Sequence, residues 1–220
     1  MVDIKVTKNV GSDSKTTSTI EIDVSAPAAI RRKINEEVGQ YLVEQTIKSM
    51  SQGESPVDGG DWDPKLDPRY RKKKIAEGGS GKPDLELTGA LKDAITFDAS
   101  AKAVEYGVWG EEAAKADGHN HFSAASAHAT APRRQFLPEE GQDLDASIMR
   151  GIEEIVADNL IDVSNLEREK LGDVTTQAEL YSVLQDAFGD DLTRSELRAA
   201  ALRSEELTAL LEELDLLDLL

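Results

Sequence analysis

His119-Asn120-His121, with His128 a little further on, is the first place where metal or acid-base chemistry could reside. Two imidazoles at i and i+2 on a strand can share a metal ion. A stable site needs further ligands, and the chain has no Cys and no other His to supply them. The triplet also spells the name of a nuclease class, but in that class the three residues are dispersed through a ββα-metal unit, so their adjacency here is a coincidence. A polar loop is the preferred reading.

Three other stretches invite chemistry. Gly78-Gly79-Ser80-Gly81-Lys82-Pro83 is similar to a phosphate-binding loop, yet Ala76 stands where the first Gly is required and Pro83 where the hydroxyl residue belongs. No strand precedes it, so nucleotide binding is rejected. Asp58, Asp61 and Asp63 miss the calcium-loop spacing, which demands a Gly and a distal Glu at set offsets. The basic run Lys65 to Lys74, with Tyr70 inside it, could contact phosphates. A charge complement to an acidic neighbour is preferred, because the net charge of -18 sets up a field that opposes DNA. No Ser-His-Asp set, carboxylate pair or cofactor box emerges from what remains. The residues point to an assembly or binding protein with no cofactor and no metal, not to an enzyme.

The composition, 39% hydrophobic and 31% charged, is that of a soluble chain. No apolar run approaches the roughly 20 residues of a membrane span, and Asp3, Lys5 and Lys8 do not resemble a signal peptide. The expected compartment is the cytoplasm in which the chain is made, and the absence of Cys fits reducing conditions. About half of the acidic excess falls after Ser164, where 14 acidic residues face 5 basic ones.

The elements that must position these residues follow from periodicity. Asp84 to Gly110 reads as a short helical turn, with Thr88 as its cap, followed by a hairpin over about 94–109. Ile95 and Phe97 alternate on one strand, Val104, Tyr106 and Val108 on the other, around a polar turn at Ser100 to Lys102. Such a hairpin is marginal alone and requires a helix on its apolar face. Residues 2–6 and 20–24 read as two strands joined by a mobile loop from Asn9 to Ser18. Ser25 and Pro27 open a long amphipathic helix carrying Ile30, Ile34, Val38 and Ile47 on one face, the best cover for the hairpin.

Residues 51–83, rich in Pro and Gly, read as a long loop that Trp62 and Tyr70 partly order. Glu111 to Ala116 predicts a helical turn ending at Gly118, and the loop beyond it leaves through Pro132-Arg133-Arg134-Gln135-Phe136-Leu137-Pro138. A second amphipathic helix spans Asp143 to Leu160, a third Thr175 to Phe188. The capping box Thr193-x-x-Glu196 opens a last helix whose eight terminal leucines exceed one core-facing stripe, so some are expected to meet a partner.

The order of Asp61-Trp62-x-Pro64, Tyr70 with Lys72 to Lys74, Leu87-Thr88-Gly89-Ala90-Leu91, Val104 to Gly110, Ala113-Ala114 and Pro132-Arg-Arg-Gln-Phe136-Leu137 resembles the tail-completion and neck proteins of tailed bacteriophages, a virion morphogenesis family. The resemblance covers roughly 28–161. Ala114 to His119 departs from the family's Tyr-Ala-x-x-His stretch, and the strands before Ser25 and the tail after Ser164 are additional.

The resemblance implies an α+β fold, a small antiparallel sheet packed on two long helices with long loops, to which the periodicity of the last quarter adds a helical C-terminal extension. It divides the chain into N-terminal strands over 1–26, a core over 27–163 and an acidic extension over 164–220. It also implies a structural virion protein that forms a homo-oligomeric ring at the neck or tail top. Its expected neighbours are connector, tail-terminator or tail-tube proteins, with at most transient contact with passing DNA and none with a membrane. Its expected locations are the virion and, during assembly, the host cytoplasm. Expected contact residues are Trp62, Tyr70, Arg71, Lys72, Lys73, Arg133, Arg134, Phe136, Leu210, Leu214 and Leu217, the aromatics as anchors on arms that order on contact. The alternative is a regulatory protein that binds a basic partner through its acidic, leucine-rich C-terminal helices.

Overall fold

The computed structural model describes residues 3–24, 26, 28–62, 65–85, 89–123, 132–160, 171, 173–188 and 192–220. The Ser25 and Thr88 caps, Val2, Pro27, Asp63, Pro64, Leu87, His128 and the boundary at 163/164 lie outside the described residues. The fold is α+β, built on a four-stranded antiparallel sheet in the order β1-β2-β4-β3. Strands β1 (Asp3–Gly11) and β2 (Lys15–Asp23) form the N-terminal hairpin, and β3 (Ile95–Ala99) and β4 (Ala103–Trp109) the central one. Pairing of β2 with β4 joins both hairpins into one sheet, so residues 1–26 contribute an inner strand to it.

The N-terminal strands run further than alternation alone predicts. The expected mobile loop contracts to a tight turn in which the Ser12 amide and hydroxyl both donate to the Lys15 carbonyl, at 2.9 and 3.0 Å. Polar residues enter the strand because each hydroxyl finds a partner, which removes most of the cost of burial. Thr16 Oγ1 donates to the Ala113 carbonyl at 2.8 Å, Thr17 Oγ1 to Glu105 Oε1 at 2.7 Å, and Ser18 Oγ to the Pro138 carbonyl at 2.7 Å.

Register puts Val6, Ile20 and Val104 on one face of the sheet, together with Tyr106 and Val108. Helix α1 (Ala28–Gln52) covers the β3–β4 half of the sheet, as the hairpin required. Gly39 permits the close approach: a Cβ there would lie 2.2 Å from Phe97 Cδ2. The other half of the sheet is reached by α4 (Ala113–Asn120). That helix continues past Gly118 because Ala113, Ala116, Asp117 and Asn120 form a buried face, and it ends only where His121 turns left-handed, with φ 61°.

Helix α5 (Ala146–Leu160) packs mainly on α1 and on the C-terminal extension, one layer removed from the hairpin it was expected to cover. A Cβ at Gly151 would lie 2.0 Å from the Tyr41 hydroxyl, so any side chain there would have to displace the Tyr41 ring.

Two elements differ from periodicity in kind. Within the expected 51–83 loop lies helix α2 (Pro68–Ala76), capped by Asp67, whose carboxylate accepts from the Arg69 and Tyr70 amides. It is basic around most of its circumference, so it has no apolar stripe to betray it. Its start signals are Asp67 at the cap and Pro68 at the first helical position. Helix α3 (Ala90–Asp93) is a single turn that starts from Gly89, whose φ of 83° is left-handed.

The extension holds α6 (Gln177–Phe188), α7 (Arg194–Arg203) and α8 (Glu205–Glu213), then a 3-10 turn at Leu217–Leu219. The Thr193–Glu196 capping box is present. The single last helix is split, however, because Ser204 Oγ accepts from the Leu207 amide at 3.2 Å and caps a new helix. That break lets Leu207, Leu210, Leu211, Leu216 and Leu220 all turn into a hydrophobic core continuous with that of the sheet and α5. Arg203 pairs with Asp158 of α5 at 2.8 Å across the junction.

Candidate assembly surface

Trp62 and Phe136, expected as anchors on arms, are 4% and 0% exposed and belong to the core of their own chain. Trp62 Nε1 donates to the Gln135 carbonyl at 3.3 Å, and its amide donates to the Gly53 carbonyl at 2.9 Å. Trp62 and the Pro-Arg-Arg-Gln-Phe-Leu exit therefore meet, although Trp62 and Gln135 are 73 residues apart in sequence. Large apolar rings that can reach one another inside a chain bury there, because removing their surface from water is favourable at about 25 cal/mol per Å².

Asn120 organises that meeting point. Its Oδ1 accepts from the Phe136 and Leu137 amides, both at 2.9 Å, while Nδ2 donates to the Ala116 carbonyl at 2.9 Å. Its own carbonyl accepts from Arg133 Nε at 3.0 Å, and the Arg134 amide donates to the His119 carbonyl at 3.1 Å. The exit segment is thereby clamped along the end of α4. Asn120 was legible only as part of a misleading triplet, since nothing local announces a side chain that caps amides 16 and 17 residues away.

Among the described residues, no group of three His, Asp or Glu side chains converges around the His residues of that triplet or elsewhere. His119 is held down to about 4, first by burial, then by the neighbouring Arg134, Lys115 and His121 charges. Its ordinary value is 6.5. Between the two values an unfolded chain takes up a proton that the folded chain refuses, so acidification destabilises the fold across that window. The effect amounts to roughly 3 kcal/mol at most. The difference in Tm between His119→Gln and the parent should therefore change by several degrees from pH 7 to pH 4.5, with the variant less acid-sensitive. Parallel pH profiles would show that His119 is not the group responsible.

The second cluster fixes α2. Lys74 is buried on this otherwise exposed helix; its ammonium pairs with the buried Asp84 carboxylate and donates to the Lys82 carbonyl at 2.8 Å. Ser80 Oγ donates to the other carboxylate oxygen of Asp84. The glycine-rich segment that looked like a phosphate loop thus folds back along α2, and Gly79 lies against the Lys74 stem. A cleft of about 470 Å³ opens beside it, lined by Glu54, Asp61, Lys65, Arg71 and Lys82 among others. Its mixed charges include a Lys65–Asp61 pair at 2.7 Å.

With Lys74 turned inward, α2 presents Arg69, Tyr70, Arg71, Lys72 and Lys73 to solvent. Tyr70 and Ile75 are 44% and 51% exposed, two of the three large exposed hydrophobics among the described residues. Among the described residues the helix packs extensively on no other helix or strand. Of the expected contact residues, Tyr70, Arg71, Lys72 and Lys73 are thus all exposed on α2. Arg133 is exposed and paired with Glu139, and Arg134 is half-buried near Tyr70. Leu210 is buried, while Leu214 and Leu217 are half-buried against the same core, so the leucines expected to meet a partner are largely used within the chain. No helix among the described residues is long and apolar enough to cross a membrane.

A family model described as the phage virion morphogenesis family matches residues 18–160. No curated protein and no solved structure matches the chain. The matched span runs from β2 through α5 and takes in both the Asn120 clamp and the Lys74–Asp84 lock.

Proposed function

Because this chain belongs to the phage virion morphogenesis family, we propose that it is a non-enzymatic structural protein of a tailed phage virion, assembling as a ring at the neck or tail top. There it completes the tail and joins it to the head, in contact with copies of itself and with connector, tail-terminator or tail-tube proteins. It is made in the host cytoplasm and ends in the virion, touching DNA at most as the genome passes. The observation that carries this reading is the family match across 18–160. The molecule supports it in two ways. Its chemistry-bearing residues serve as clamps inside the fold, and α2 offers a charged and aromatic surface.

The test is electron microscopy of a lysate from phage carrying an early stop codon in this gene. Filled heads beside unattached tails, or tails of irregular length, are expected. Normal infectious particles would overturn the proposal and return attention to a regulatory role.

A further inference from the structure

The basic face of α2 and the acid-only end of the extension are opposite in sign and both exposed. From Ser204 onward the chain has six acidic residues and no Lys or Arg. Of these, Glu212, Asp215 and Asp218 lie on the surface of α8 and the turn that follows it. On α2, Arg69, Arg71, Lys72 and Lys73 are exposed, and Lys73 alone of the four has an ion pair among the described residues, a loose one to Glu77 at 3.8 Å. Tyr70 and Ile75 add exposed apolar area on the same helix, giving the combination of aromatic and cationic groups that is enriched at protein interfaces. In the folded chain α2 and α8 do not pack against each other.

We propose that α2 of one copy docks on the acidic α8 surface of the next. Two different, complementary patches on the same chain make a head-to-tail contact. A contact of that kind closes into a ring or runs on as a filament, whereas a self-complementary patch would stop at a dimer. The inference rests on the assembly reading above and names the surfaces that such an assembly uses. The Lys74–Asp84 lock then has a purpose: it holds α2 in a fixed pose at the end of a glycine-rich segment, so little ordering is left for the moment of contact. Duplex DNA is the competing ligand for a basic helix, but the chain's charge of -18 repels it at long range.

The experiment uses the purified full-length chain in sedimentation velocity, with folding of every variant checked by thermal melting. Wild type should self-associate at about 0.05 M NaCl and dissociate toward monomer at about 0.5 M, as screening of exposed charges requires. Reversing α2 (Arg69→Glu, Arg71→Glu, Lys72→Glu) or α8 (Glu212→Lys, Asp215→Lys, Asp218→Lys) should each weaken association by on the order of 100-fold. Mixing the two reversed variants, or combining both sets in one chain, should restore it.

A wild type that stays monomeric at low salt overturns the inference. So does an α2 reversal that associates normally, or a swap that fails to restore association. In the last two cases the ring reading survives, with its contacts elsewhere. Retention of a DNA duplex by wild type but not by the α2 reversal would also overturn it, with nucleic acid as the partner.

Discussion

Phe136→Ala is expected to lower the unfolding free energy by about 3–5 kcal/mol, read from urea denaturation of the isolated protein. The ring is fully buried where the exit segment meets the end of α4, and the Phe136 amide is held by Asn120. Truncation removes the ring's contacts and leaves a cavity walled by elements that Asn120 keeps in place, so collapse around it is limited. Against a typical total of about 5–15 kcal/mol, such a loss unfolds an appreciable fraction of the protein at growth temperature. Any defect in particle assembly would then be a defect of folding. Trp62→Ala should behave in the same way, since the indole is buried and its N–H bonds to the Gln135 carbonyl. A variant that kept its stability yet failed to assemble would restore Phe136 as an intermolecular anchor.

Lys74→Met should cost a similar amount, about 3–5 kcal/mol, because it strands a buried carboxylate without its ammonium. Both side chains are nearly sealed from water, at 3% and 2% exposure. The sign of the second substitution makes the test specific. Lys74→Met combined with Asp84→Leu removes both charges and should recover most of the lost stability, as exchange of a whole buried pair for apolar groups commonly does. The single variant should also raise hydrogen exchange at α2 amides well before global unfolding, since the pair ties the helix to residues 80–84. Equal losses in single and double variants would mean that the cost lies in the other contacts of the Lys74 side chain, such as its bond to the Lys82 carbonyl, and not in stranding the Asp84 carboxylate.

These two clusters separate what was readable from what was not. The α+β class, the central hairpin with its turn, the long helix that covers it and the Thr193 capping box were all legible, because period, turn residues and caps act within a few positions of one another. So was the family, from motifs whose order along the chain is itself sequence information. Helix α2 was missed because periodicity sees only amphipathic helices and this one is polar nearly all round, although Asp67-Pro68 marked its start.

The roles of Trp62, Phe136 and the terminal leucines could not be read locally. An exposed aromatic anchor and a buried one have the same residue type in the same loop context, and only long-range closure decides between them. Asn120 bonding 16 residues ahead, Lys74 meeting Asp84 and the break at Ser204 are likewise outcomes of the assembled core. The sequence by itself determined which segments could be helix, strand or turn, and the charge that each surface carries, since those depend on near neighbours and composition. The tertiary structure alone decided which polar and aromatic groups are consumed inside the fold and which, on α2, are left facing outward. Burial depends on contacts between residues far apart in the chain, and no local pattern encodes them.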